Sequence, residues 1–271
     1  MSRPSDADRP ALPEHLAALA GGADSAGQPW EGRTFSPNPA AGDDGSADPA
    51  LHAALTGFRD GTAREEDVVD ALRAARVLVP LVAEKGEEGL APSGLAVDKT
   101  QELSIVTVRA PDGRAVLPAF TSVDTLRAWN PDARPIPVAG TRAALAAAGD
   151  DTDLLVIDPT SPTEFVVRRP AIWAIAQEQP WSPPWRTPEL VLAFEAAIAS
   201  ELAVHGVRVS PGDPEARLRG PETLVTLSLA RGLDRAELDA VLTRLAGRWA
   251  ADDRIAVLVD SMKVALEASR D

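Results

Sequence analysis

The sequence predicts an α+β protein of two small mixed units whose sheets are antiparallel or mixed. Three observations predict it: helices with clear caps alternate with short β-branched runs, an Asp-Gly pair marks a hairpin, and a proline-dense stretch divides the chain of 271 residues. Residues 1–46 are rich in Pro, Gly, Ala and Asp without a sustained period of 2 or 3.6, which predicts an irregular or disordered leader. Trp30 and Phe35 are the leader residues with the bulk to dock on a folded unit.

The first unit spans 47–179. Asp48 stands as N-cap with Pro49 at the first helical position, and Leu51, Ala54, Leu55 and Phe58 follow at helical spacing. After Gly61, the series Thr62-Ala63-Arg64-Glu65 reads as a capping box for a second helix that turns Val68, Val69 and Leu72 inward. The run 77–82 is short, apolar and β-branched, a strand that Pro80 should confine to an edge or a bulge. A Gly- and Glu-rich loop over 84–98 precedes two strands, 102–109 and 114–119, joined through Pro111-Asp112-Gly113. Ser122 should cap a short helix through Leu126 and Trp129, and 141–148 reads as an Ala-rich helix. Strands over 153–158 and 165–169 and a helix over 171–177 close this unit.

Repeated prolines over 180–187 forbid regular helix or central strand, so the linker is placed there. The second unit, 188–271, opens with a helix capped by Thr187 and started by Pro188, with Leu190, Val191, Phe194, Ile198 and Leu202 on one face. Strands are expected at 207–209 and 224–229. Asp234-Arg235-Ala236-Glu237 is a second capping box, followed by the stripe Leu238, Val241, Leu242, Leu245 and Trp249. The run 255–259 reads as the last strand, with a short tail beyond it.

Composition excludes several chemistries. With 27 Lys and Arg against 41 Asp and Glu, the net charge of −14 repels polyphosphate and anionic lipid, which argues against nucleic-acid and membrane partners. The chain contains no Cys, so thiolate catalysis, persulfide chemistry and Cys-ligated zinc have no residue to use. The polar start has no apolar h-region and no apolar run is long enough to span a bilayer, so a cytoplasmic location is the expectation.

His15, His52 and His205 are scattered. Glu201 and His205, four apart on an expected helix, lack a third metal ligand and read as a solvated helix end. The segment 42–48 lacks calcium-loop spacing and reads as a turn that ends in an N-cap. Glycine-rich phosphate loops are absent, and Ser93 before Gly94 has no partner to activate it. Pairs such as Glu87/Glu88 and Asp151/Asp153 carry little information in so acidic a chain. Neither a metal nor a cofactor is expected, and no catalytic residue is assigned. The aromatic share is 4%, so the six Trp residues stand out. Trp129, Trp173 and Trp249 lie on helical stripes and fit a core role. Trp181 and Trp185 either present anchors to a partner or fold back to pin the linker, and the second reading is favoured because an exposed pair invites aggregation.

Leu117-Pro118-Ala119-Phe120-Thr121-Ser122, with Leu126 and Trp129 after it, resembles the most recognisable motif of the SseB family, named for enhanced serine sensitivity. Glu102-Leu103-Ser104, Pro111-Asp112-Gly113-Arg114, Leu154-Leu155-Val156-Ile157-Asp158-Pro159 and Val167-Arg168-Arg169-Pro170 fit the pattern in order. The resemblance covers about 30–267, is strongest over 75–178, and is closest to the actinobacterial type. It implies a mixed α/β N-terminal domain without established catalytic residues, so no active site carries over. Sulfurtransferases that share the short name need a reactive Cys, which this chain lacks.

The sequence therefore predicts a non-catalytic module that binds a protein partner or small effector beside Phe120 and Trp129 or at Trp181 and Trp185. The alternative is an enzyme, or direct regulator, of serine-related amino-acid metabolism. The first reading assumes that the His, Asp, Glu and Ser side chains are too dispersed to converge in a closed cleft.

Overall fold

A computed structural model describes residues 42–83, 103–105, 107–110, 112–149, 152 and 154–269. Trp30, Phe35, His15, Ser93 and the acidic pairs Glu87/Glu88 and Asp151/Asp153 lie outside the described residues. Helix α1 (Pro49–Arg59) is capped as its sequence requires, the Asp48 carboxylate accepting from the N–H groups of Ala50 and Leu51 at 2.9 and 3.0 Å. Helix α2 (Glu65–Ala74) starts two residues later than the expected box. Thr62 donates its hydroxyl to the Gly57 carbonyl, and the Asp67 carboxylate takes the Arg64 N–H at 2.7 Å instead.

Strand β1 (Arg76–Ala83) is the middle strand of a three-stranded antiparallel sheet, between β2 (Leu103–Ile105) and β5 (Arg134–Ala139). This corrects the edge assignment drawn from Pro80. Leu78 exchanges backbone hydrogen bonds with Phe120 at 2.8 Å, and pairing with β2 begins only at Leu81. The ring nitrogen of Pro80 thus falls in the gap between two partners, where no donor is needed. Strand β5 was not foreseen, because Pro135 and Pro137 argue against one. Both prolines turn their nitrogens away from β1, the one strand that pairs with β5 among the described residues.

The second sheet has the order β3-β4-β6-β7: β3 (Val108–Arg109), β4 (Ala115–Ala119), β6 (Leu154–Ile157) and β7 (Phe165–Val167). Strands β3 and β4 form a hairpin at the expected Asp112-Gly113 turn, with Gly113 at φ 89° supplying the left-handed residue, but the expected strand over 102–109 is divided: 103–105 pairs with β1 in the first sheet and only 108–109 pairs with β4. Strands β4 and β6 are parallel, connected through α3 (Val123–Trp129), β5 and α4 (Gly140–Gly149). All four β6 residues are buried, as a strand covered on both faces demands. Leu155 and Ile157 join a core with α1, α2, α4 and α5 (Arg169–Ala176), while Leu154 and Val156 join a smaller cluster on the opposite face.

The Ala-rich α4 permits close packing on α2. A Cβ added at Gly140 would lie 1.9 Å from the Leu72 carbonyl oxygen, an unyielding backbone atom. Gly140→Ala should force the two helices apart and lower unfolding free energy by about 2 kcal/mol in urea titration. An unchanged midpoint would contradict this packing account.

Beyond the proline segment, with its single 3₁₀ turn (Pro184–Arg186), α6 (Pro188–Ile198) begins as expected, but Thr187 does not cap it. The Thr187 hydroxyl donates back to the Ser182 and Pro183 carbonyls. The helix also stops at Ile198, so Leu202, expected inside, is 96% exposed. Glu201 and His205 are not on a helix: His205 lies in β8 (Val204–Pro211), and Glu201 pairs with Arg244 and Arg248 at 2.7 and 2.8 Å. Strand β9 (Thr223–Leu229) lies between β8 and β10 (Met262–Ala268), antiparallel to the first and parallel to the second. The capping box at Asp234 starts α7 (Arg235–Ala251) as read from the sequence.

The run at 255–259 is a correction, since 255–258 belong to α8 (Asp253–Leu258), with Val259 as its C-cap, and not to a strand. The Asp252 carboxylate caps the helix by accepting the Arg254 N–H, which overrides the β-branched composition of a short apolar run. The last strand is the following segment, β10, where only a tail was expected. Together these elements give the α+β class. Residues 190–264 supply a separate apolar cluster around Phe194, Leu227, Leu245 and Trp249. No helix among the described residues is long and apolar enough to cross a membrane.

Candidate functional site

Charged side chains from distant parts of the chain converge where β7 runs into α5. Arg168, at that junction, is 6% exposed and donates to the Asp213 carboxylate at 2.8 Å, the Asp260 carboxylate at 3.2 Å and the Gly220 carbonyl at 3.0 Å. Arg114, from the β3–β4 hairpin, reaches Asp260 at 2.9 Å and Asp112 at 2.8 Å. Ser261 donates its hydroxyl to Asp260 at 3.1 Å and accepts the Glu222 N–H at 3.0 Å. The expectation that such residues stay dispersed is therefore corrected.

Asp213 also organises the loop it stands in, taking the N–H groups of Leu218 at 2.8 Å and Arg219 at 3.3 Å. Ala216 and Leu218 occupy left-handed backbone conformations, φ 47° and 55°, which non-glycine residues adopt only when neighbours hold them there. The Ala216 carbonyl accepts the Val166 N–H at 2.9 Å, fastening this loop to β7.

Beside the ion network lies a cavity of about 20 Å³, bordered by Glu65, Arg168, Asp213, Glu222, Trp181 and Trp185. That volume suits one water-sized group. Glu222 is 4% exposed; one carboxyl oxygen accepts the Asp260 N–H at 2.7 Å, and the other is buried without a hydrogen-bond partner. Burial pushes its carboxyl up to about 8, with Asp260 and Glu65 adding to the effect and the Asp260 N–H and Arg168 opposing it. Glu65, in the first turn of α2, is pushed up to about 7, again mainly by burial and then by Glu66. Both carboxyls therefore hold protons well above the usual range for glutamic acid.

The two alternative interaction surfaces, beside Phe120 and Trp129 or at Trp181 and Trp185, lie in different surroundings. Phe120 is fully buried in a cluster with Leu78, Leu126 and Ala133, and Trp129 lies half-buried against it with ring centres 5.2 Å apart. Phe120 is thus a core residue and offers no surface of its own. Trp181 and Trp185 are half-buried and form walls of the cavity, so the linker is pinned. Trp181 also borders an open groove of about 460 Å³ with Trp173, Pro180, Pro188, Gln177 and Leu258. Trp173, expected in the core, is 38% exposed on that groove.

The motif around Phe120 has a structural use. Asp158, fully buried at φ 46°, accepts the Thr121 N–H and hydroxyl at 2.8 Å each and the Thr163 hydroxyl at 3.0 Å, closing the ends of β4 and β6. His52 and His205 are exposed, and no group of three or more His, Asp or Glu able to hold a metal occurs among the described residues.

Residues 51–174 match the family model of the SseB protein N-terminal domain. No curated protein and no solved structure matches the chain. The matched stretch contributes Glu65 and Arg168 to the cavity, whereas Trp181, Trp185, Asp213 and Glu222 lie beyond it.

Proposed function

Since residues 51–174 are an SseB protein N-terminal domain, we propose that the protein is a cytoplasmic, non-catalytic recognition module that binds a protein partner or small effector. Its binding face is the one formed by Trp181 and Trp185. The observation that carries this reading is the placement of two half-buried indoles in the lining of a cavity with partly unpartnered acids, while the neighbouring ions are consumed in holding the fold. Tryptophan at the mouth of a desolvated pocket is the side chain that most often anchors a partner. The Ser261 hydroxyl is directed to an Asp260 carboxylate that two guanidinium groups already engage, so this pair supports architecture.

Affinity purification of the full chain from its native host, beside a Trp181→Ala/Trp185→Ala variant, tests the proposal. A partner captured by the parent and reduced at least tenfold on the variant is expected. Equal capture by both would place recognition elsewhere, and no partner together with no thermal shift across a metabolite panel would remove the proposal.

One observation favours an enzyme of serine-related metabolism: two carboxyls with raised pKa values beside an arginine in one cleft, a pattern that also serves acid-base catalysis. The cavity's volume of about 20 Å³ suits one small head group, and the Arg168 guanidinium beside it is already engaged by Asp213 and Asp260. Turnover of serine or a related metabolite by the purified chain, abolished in Glu222→Gln, would reverse the preference.

A further inference from the structure

We propose that the cavity between Trp181, Trp185, Glu65 and Glu222 is a seat for a primary ammonium group, carried on a lysine of a protein partner or on a small amine. The inference rests on the recognition reading and names the chemistry that the site selects. Three features carry it.

The first is size. A cavity of about 20 Å³ accepts a group the size of water, which an ammonium head matches and a guanidinium or quaternary ammonium exceeds. The second is the acceptor supply: the buried second oxygen of Glu222 is unpartnered, and among the described residues no hydrogen bond engages the Glu65 carboxyl. An ammonium offers three donors, enough to serve both acids. The third is the presence of two indoles in the cavity lining, since an indole ring attracts a cation more strongly than a neutral group.

The charges around the cavity agree. Glu65 and Glu66 from α2, Asp213 and Glu222 from the loop before β9, and Asp260 from the turn before β10 face Arg168, Arg186 and Arg114. Five acids against three guanidinium groups leave room for added positive charge. Without a cation the acids hold protons; a seated ammonium displaces them, so occupancy should rise with pH through the range from 7 to 8. A single bridging water is the competing occupant.

Tryptophan fluorescence and melting temperature of the full chain at pH 8 distinguish the two, with methylammonium, glycinamide and Nα-acetyl-lysine amide as probes. Tetramethylammonium and Nα-acetyl-norleucine amide serve as controls for size and charge. The expected result is a saturable response to the primary amines, none to the controls, at least tenfold weaker binding in Glu222→Gln, and weaker binding at pH 6. A response confined to the lysine amide points to a protein source, and a response to all three amines to a small effector.

The proposal is overturned if no primary amine saturates even at tens of millimolar, or if Glu222→Gln binds as the parent does while remaining folded. Partner capture that depends on Trp181 and Trp185 without any amine response would leave recognition standing and remove only the ammonium seat.

Discussion

Arg168→Met should lower the unfolding free energy by about 3–5 kcal/mol, the range found when one member of a buried charge network is deleted. The reason lies in what the substitution leaves behind. Asp213 and Asp260 have side chains only 2% and 1% exposed, and Arg168 engages both along with the Gly220 carbonyl. Asp260 retains Arg114, whereas Asp213 retains only backbone N–H donors within its own loop. A buried carboxylate without its guanidinium must protonate or draw in water, and either event releases the loop that holds Ala216 and Leu218 in left-handed conformations. Urea unfolding at pH 7 gives the magnitude, and limited proteolysis should report new cleavage within 212–221. Arg114→Met, which loses contact with an Asp260 still held by Arg168, should cost less than half as much. A loss below about 1 kcal/mol for Arg168→Met would show that the network is dispensable.

Features encoded by neighbours in the chain were the legible ones. Asp48 and Asp234 cap their helices because the acceptor and the N–H groups it serves lie within three residues. The Asp112-Gly113 turn needs only its own left-handed glycine. Strand β5 was hidden because the cost of Pro135 and Pro137 depends on which side of the strand has a partner, a fact of topology. Residues 255–259 were misread because five apolar residues satisfy either period, and the deciding cap at Asp252 lies outside the run.

The candidate site divides in the same way. Trp181 and Trp185 were visible because tryptophan is rare and prolines surround both. Arg168, Asp213 and Asp260 were not, since their contacts span 45 and 92 positions. Among 41 acidic residues, no local signal separates Glu65 and Glu222 from the solvated majority. What singles them out is burial, which belongs to the assembled fold.

Burial of those two acids makes stability depend on pH in a direction opposite to that of an ordinary salt-bridged carboxylate. Glu222 titrates near 8 in the folded chain against 4.5 as an ordinary glutamic acid, so between those values the folded state holds a proton that the unfolded state has lost. Its contribution is fully present below about pH 4.5, declines as pH rises, and is gone above about 8. Glu65 adds the same trend up to about 7. With both acids intact, unfolding free energy should fall by up to about 2.7 kcal/mol per pH unit between 5 and 7, less where the half-buried Glu65 is relieved by solvent. Glu222→Gln should keep the Asp260 N–H bond through its amide oxygen and put a neutral group where the proton sat. That variant should match the parent near pH 5, exceed it by roughly 3 kcal/mol at pH 8 once structural relaxation around the ionised Glu222 is allowed for, and show about half the parent's slope from pH 5 to 7. Urea titrations at several pH values measure all three quantities. Parallel curves for parent and variant would mean that water reaches Glu222 freely in the folded chain, and the desolvation of the cavity lined by Trp181 and Trp185 would go with it.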